Sequence, residues 1–268
     1  MTYFGFLLRF LVLPIVLLSV LTYLDLRRKR ALPASLRFLS PRLVITTLAV
    51  VAVTYTTPWD NYLVATGVWW YDPALVTGIT VGWVPIEEYT FFMLQPIMTG
   101  LWLLFLARRV HVDAPFKAQN GIRVASATVI GLFWFASILL LLSGWKPGNY
   151  LSLELAWALP PIALQLVFGA DILWHYRRII IPAIVSATLY LCGIDALAID
   201  GGTWTIKPEL TTGILLGRVL PVEEVLFFLL TNTLLVFGLV LGLAKVSLYR
   251  LPAQIIRRKA SQTQQLNR

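Results

Sequence analysis

Two pairs of adjacent glutamates, each at the head of an apolar run, are the residues of this 268-residue chain whose type and spacing could do chemistry. Pro85-x-Glu87-Glu88-x-x-Phe91-Phe92 recurs as Pro221-x-Glu223-Glu224-x-x-Phe227-Phe228. A carboxyl at the edge of hydrocarbon is costly unless solvated, paired or neutralised, so it marks a functional candidate. Proline followed by acids is also an ordinary helix start, and duplicating a segment would copy it with the helix. The chemical reading is acid–base work. Burial and an adjacent like charge both favour the neutral form of one carboxyl and outweigh the opposing helix dipole, which would set a protonated acid beside an ionised base.

Residues i and i+4 share a helix face, so Glu87 lies with Phe91, Glu88 with Phe92, Glu223 with Phe227 and Glu224 with Phe228. One glutamate of each pair is expected to face inward on an aromatic ledge, and the sequence does not decide which. Phenylalanine faces can stabilise a desolvated cation by about 2 kcal/mol or more, although aromatic residues in apolar helices also serve as plain packing. The repeat breaks just upstream, where Trp83 corresponds to Arg218. An arginine favours an ionised carboxylate and an apolar wall the neutral acid. The proton donor is therefore expected at Glu87 or Glu88, with Trp83 as its wall. The ionised role, cation-stabilising or proton-accepting, falls to Glu223 or Glu224 with Arg218 in support. Asp60 and Asp195 match across the repeat and are expected just outside the second and sixth helices, capping turns or supporting the glutamates.

The elements that must position these groups are membrane helices. The chain is 58% hydrophobic and 13% charged, against about a quarter charged in soluble domains. Its net charge of +9 falls between apolar segments, which points to anionic lipid headgroups and not to nucleic acid. A single cysteine, Cys192, excludes an intramolecular disulfide framework, and the two histidines, His111 and His175, stand apart beside basic clusters, so no metal site is expected. Seven apolar runs approach spanning length: about 3–24, 43–58, 84–106, 122–143, 153–174, 179–199 and 219–244. The first is read as a retained helix, not a signal peptide.

Lysine and arginine concentrate after the first, third and fifth helices and in the tail, so the N-terminus is expected outside and the C-terminus in the cytoplasm of a cell membrane. Both glutamate pairs then share the outer side. The halves align at a shift of 135, pairing Tyr55 with Tyr190, Asp60 with Asp195, Trp69 with Trp204 and Gly82 with Gly217, before a one-residue insertion brings Glu87 onto Glu223. At a larger shift Pro14 and Asp25 pair with Pro160 and Asp171. The expected fold is all-α and polytopic, with two parallel three-helix repeats, 1–110 and 151–245, a linking fourth helix with its loops (111–150) and a basic cytoplasmic tail (246–268).

With the paired PxEExxFF motifs, the repeated three-helix unit and the linking helix, residues 1–245 resemble the membrane-integral carotenoid cyclases in their fused form. The resemblance implies lycopene β-cyclase activity, an isomerisation without net redox change, on a lipid-soluble linear carotenoid, beside membrane lipids and other enzymes of the carotenoid pathway. A C50 substrate or an ε or γ ring are alternatives within the same family. No dinucleotide motif occurs, so no cofactor is expected. In fungi this region resembles the front of a fusion with phytoene synthase; here a short basic tail follows it, and a standalone enzyme is expected. Among other classes, a seven-helix retinal protein would need a lysine between Arg218 and Lys245, and none occurs. A prenyltransferase would need clustered aspartates, for which Asp195 and Asp200 are a poor substitute. A proton-coupled transporter could use the same carboxylates as relays.

Overall fold

The computed structural model describes residues 1–110, 112 and 115–251. His111 and the tail cations Arg257, Arg258, Lys259 and Arg268 lie outside the described residues. Among the described residues, seven helices are long and apolar enough to cross a membrane: α1 Tyr3–Arg27, α2 Pro41–Ala65, α3 Ile86–Ala107, α4 Asn120–Leu142, α5 Asn149–His175, α6 Arg177–Asp200 and α7 Val222–Leu243. At about 1.5 Å per residue each reaches at least the ~30 Å of a bilayer core. The protein is an all-α polytopic membrane protein. Helices α3 and α7 form its centre, with 56% of their apolar windows buried, whereas α4 buries only 6% and flanks α5.

Helix α2 is longer than its apolar run because Pro58, Asp60 and Asn61 end the hydropathy signal without ending the helix. Asp60 is buried, and the Asn61 amide donates to the Thr57 carbonyl (2.9 Å) and the Tyr89 hydroxyl (2.9 Å). Such polar groups persist inside a membrane bundle when they are enclosed or bonded within it. Asp60 and Asp195 therefore lie within α2 and α6, not outside their ends, and neither caps a turn.

The connections on the α3 and α7 entry side carry six short strands that the all-α expectation did not contain. Strands β2 Thr80–Val81 and β3 Val84–Pro85 form a hairpin ahead of α3, and β5 Leu215–Leu216 and β6 Leu220–Pro221 form its counterpart ahead of α7. The first turn holds two residues and the second three, which locates the one-residue insertion; Gly82 (φ 68°) and Gly217 (φ 59°) both take the left-handed backbone these turns require. Strands β1 Trp69–Tyr71 and β4 Trp204–Ile206 pair antiparallel across the halves, Trp69 with Ile206, Trp70 with Thr205 and Tyr71 with Trp204. Under the 135 shift this register maps onto itself when the halves are exchanged. A pseudo-two-fold axis thus passes between Trp70 and Thr205.

Hydrogen bonds elsewhere repeat with the same symmetry. Pro14 cannot donate to the Phe10 carbonyl one turn back, and a π-helical turn over Leu8–Val12 precedes it. The Tyr190 hydroxyl, from the other half, donates to that carbonyl at 2.9 Å. Pro161 likewise frees the Trp157 carbonyl, and Tyr55 donates to it at 2.8 Å. The structural partner of Pro14 is therefore Pro161, one position beyond the expected Pro160. At the opposite end of the bundle, Asp25 accepts from both terminal nitrogens of Arg109 (2.8 and 2.9 Å) and Asp171 from Arg250 (2.6 Å), so each half carries an ion pair there.

Candidate active site

The two motifs meet at the N-terminal ends of α3 and α7. In each pair the two glutamates do different things. The Thr77 amide donates to Glu87 Oε1 at 2.7 Å, and the Thr212 amide donates to Glu223 Oε1 at 2.6 Å. Thr77 and Thr212 are 135 positions apart, so both bonds tie a connecting loop to a helix start in the same way. Glu88 and Glu224, rotated about 100° around their helices, instead face a shared central cavity of about 50 Å3.

All four motif phenylalanines line this cavity, Phe91 and Phe92 beside Phe227 and Phe228, with the Phe91 and Phe228 ring centres 6.4 Å apart. Asp60 and Asp195 also point into it, and no lysine, arginine or histidine is among the lining residues described. Asp195 Oδ1 accepts from the Trp204 indole at 3.0 Å, whereas neither oxygen of Asp60 has a partner among the described residues. Trp59 stacks on Phe227 (5.9 Å, 6°) and on Trp157 (4.5 Å, 17°), which extends the aromatic wall. Four carboxyl groups around a cavity without a cation make a site suited to a positive charge brought by a ligand, with aromatic faces to shelter it.

Three tyrosines, absent from the motif, complete the site. The Tyr3 hydroxyl donates to Glu88 Oε2 (2.5 Å) and its repeat counterpart Tyr150 donates to Glu224 Oε1 (2.6 Å). Tyr71, in β1, adds a second bond to Glu88 Oε2 at 3.1 Å, where the other half has Ile206. Burial, reinforced by Glu88, pushes the Tyr71 phenol well above its ordinary range, so it stays protonated and donating. Glu154, one turn along α5 from Tyr150 and so on the same face, is fully buried with both oxygens unpartnered among the described residues. The halves are thus alike in frame and unlike in polarity: Glu88 receives two phenols, and Glu224 receives one and neighbours a second carboxyl.

Trp83 and Arg218 are not part of this site. Both sit exposed on the hairpin turns, Trp83 at 68% exposure and Arg218 with a φ of 66°, so neither supplies the wall nor the charge expected of it. The division of labour argued from that pair has no support in the geometry. Below the cavity a polar seam joins α3 to α7: Gln95 donates to Thr231 (3.1 Å), Thr99 to Asn232 (3.0 Å) and Asn232 to Thr188 of α6 (3.3 Å). These mutual bonds fix the two helices against each other and hold the carboxyls in place.

The family model described as Lycopene cyclase matches residues 1–106 and 147–241, the two repeated units without α4. The chain is 39% identical over 202 residues to a lycopene beta-cyclase of Halobacterium salinarum, covering 72% of this chain and 79% of that protein. It is 36% identical over 204 residues to a bifunctional lycopene cyclase/phytoene synthase of Podospora anserina, covering 74% of this chain and 34% of that protein. A namesake from Gibberella fujikuroi is 34% identical over 204 residues, covering 72% and 33%. No solved structure gives a significant match. With a symmetric pair of carboxyl-bearing helix starts enclosed in a membrane bundle and these matches over both halves, the chain belongs to the lycopene cyclase family.

Proposed function

We propose that this protein is a lycopene β-cyclase that closes the ends of a linear carotenoid into β-ionone rings, within the membrane and without net redox change. The observation that carries the reading is the cavity itself: four carboxyls, three phenols and an aromatic wall, lacking any basic residue among those described. In the reaction a carboxylic acid transfers its proton to the less substituted carbon of the terminal double bond, leaving a tertiary cation on the other carbon. The electron pair of the next reacting double bond forms the ring-closing carbon–carbon bond and moves the cation into the ring. A carboxylate then removes an adjacent proton, and the freed pair makes the ring double bond. One proton enters and one leaves, so the formula is unchanged.

We assign the acid to Glu224 and the base to Glu88. Two phenolic donors stabilise an anion at Glu88, since hydrogen bonds to a charged acceptor are the stronger kind. Glu224 has one donor and the unpartnered Glu154 nearby, surroundings that favour a carboxyl keeping its proton. Asp60 and Asp195 and the aromatic faces shelter the cation between the two steps. The orientation we favour puts the N-terminus and the site outside and the C-terminus in the cytoplasm of the cell membrane, on the loop charges alone. Expression in a lycopene-accumulating bacterium tests the function. Cyclic pigment supports it, and lycopene left wholly acyclic with the protein present in membranes overturns it.

A further inference from the structure

The pseudo-two-fold axis generates two lateral grooves from the helix surfaces that face lipid, and they are not equivalent. One, of about 170 Å3, lies between α2 and α5 and is lined by Leu48, Val51, Ala52 and Tyr55 on one side and by Trp157 and Pro161 on the other. Its symmetry mate, of about 280 Å3, lies between α1 and α6 and is lined by Pro14, Leu17 and Ala187 among others. Ala52 with Ala187 and Tyr55 with Tyr190 show the correspondence at the 135 shift. Only the first groove shares walls with the central cavity, through Phe92 and Phe227. Among the described residues the second has no lining residue in common with it. On that side the counterpart rings, Phe228 and Phe91, meet edge-on with their centres 6.4 Å apart.

We infer that the α2/α5 groove is the binding site for the conjugated chain of the substrate, holding the unreacted polyene while its end lies between Glu88 and Glu224, and that the α1/α6 groove is off this path. The inference rests on the cyclase reading and adds the route by which substrate reaches the carboxyls. Its chemistry fits. A polyene offers no hydrogen bonds, and the groove has an apolar rim open to lipid, with Val51 50% and Tyr55 42% exposed. The Tyr55 hydroxyl is already occupied by the Trp157 carbonyl, so Tyr55 presents its ring to the groove. Stacked Trp157, Trp59 and Phe227 then lead inward as a continuous aromatic surface. A rigid conjugated rod entering here keeps most of its length in hydrocarbon and desolvates only its reacting end. After the first closure the product must withdraw and present its second end through the same opening.

The test narrows each groove from its lipid-exposed rim. Val51→Trp is expected to lower the ratio of cyclic to acyclic pigment at least tenfold at wild-type protein levels in the membrane, and Leu17→Trp to leave it within twofold. Should Val51→Trp fail to accumulate, Leu234→Trp on the α7 side of the same groove carries the test with the same expected loss. The inference is overturned if the variant that accumulates cyclises like wild type, or if Leu17→Trp loses as much. A wild-type chain that forms no rings would instead sink the cyclase reading itself, so the two failures are distinguishable.

Discussion

Replacing each glutamate of the two motifs by glutamine should separate structure from chemistry within a single Glu-Glu pair. Glu87 and Glu223 each accept a backbone amide, at 2.7 and 2.6 Å, and glutamine at either place can still accept it. The bond to the amide oxygen is at most as strong as the one it replaces, and the exchange costs about 1 kcal/mol. For a domain of this size that is a fall of roughly 2–4 °C in melting temperature. Ring formation should persist in Glu87→Gln and Glu223→Gln. In Glu224→Gln the Tyr150 bond at 2.6 Å also survives, so the fold should hold, but the amide has no proton to give. Losing a general acid or base costs about 10²- to 10⁴-fold in rate, and Glu88→Gln should lose as much for want of a base. The assays are pigment analysis in a lycopene-making host and thermal unfolding of the detergent-solubilised protein. Cyclisation at the wild-type rate in Glu88→Gln or Glu224→Gln, or its loss in Glu87→Gln at an unchanged melting temperature, would refute the reasoning.

Tyr71→Phe removes the weaker of the two phenol bonds to Glu88, worth about 1.5 kcal/mol to an anion, and should slow ring formation about tenfold while protein levels stay constant; an unchanged rate would detach Tyr71 from the site. Arg109→Ala removes the bidentate partner of Asp25 and leaves it only the more distant Arg30, at 4.0 Å; it should destabilise the protein by about 1.5–3 kcal/mol, read by thermal unfolding, with a melting temperature equal to wild type counting against the pair as a structural link. Reporter fusions after Pro73 and after Pro208 should report the side opposite to a fusion at Arg268. Matching sides would overturn the loop-charge argument.

Much of this was legible from spacing. The duplicated Pro-x-Glu-Glu announced both halves, and the matched tryptophans and glycines fixed their register, because a duplicated backbone needs the same residue types at its turns. The orientation of each glutamate was not legible. Helical geometry separates Glu87 from Glu88 by about 100° but leaves open which points inward until the loop amide of Thr77 is placed. Tyr3 and Tyr150 escaped notice because they lie outside the motif and repeat at a shift of 147, not 135, although both open the first helix of a repeat. Glu154 carries a signal of its own: an acid inside a run of spanning length is a functional candidate by position alone. Trp83 and Arg218 misled for a different reason. Adjacency in sequence is not adjacency in space here, because the hairpin turns carry both side chains outward.

The central claim, ring closure begun by a carboxylic acid, has a direct isotopic signature. The protein is equilibrated in D2O in lipid vesicles and given lycopene at a level well below that of the protein, so that each site turns over once. Each new β-ionone ring should then carry a single deuteron at the carbon protonated in the first step. Rings that form without deuterium would contradict the account.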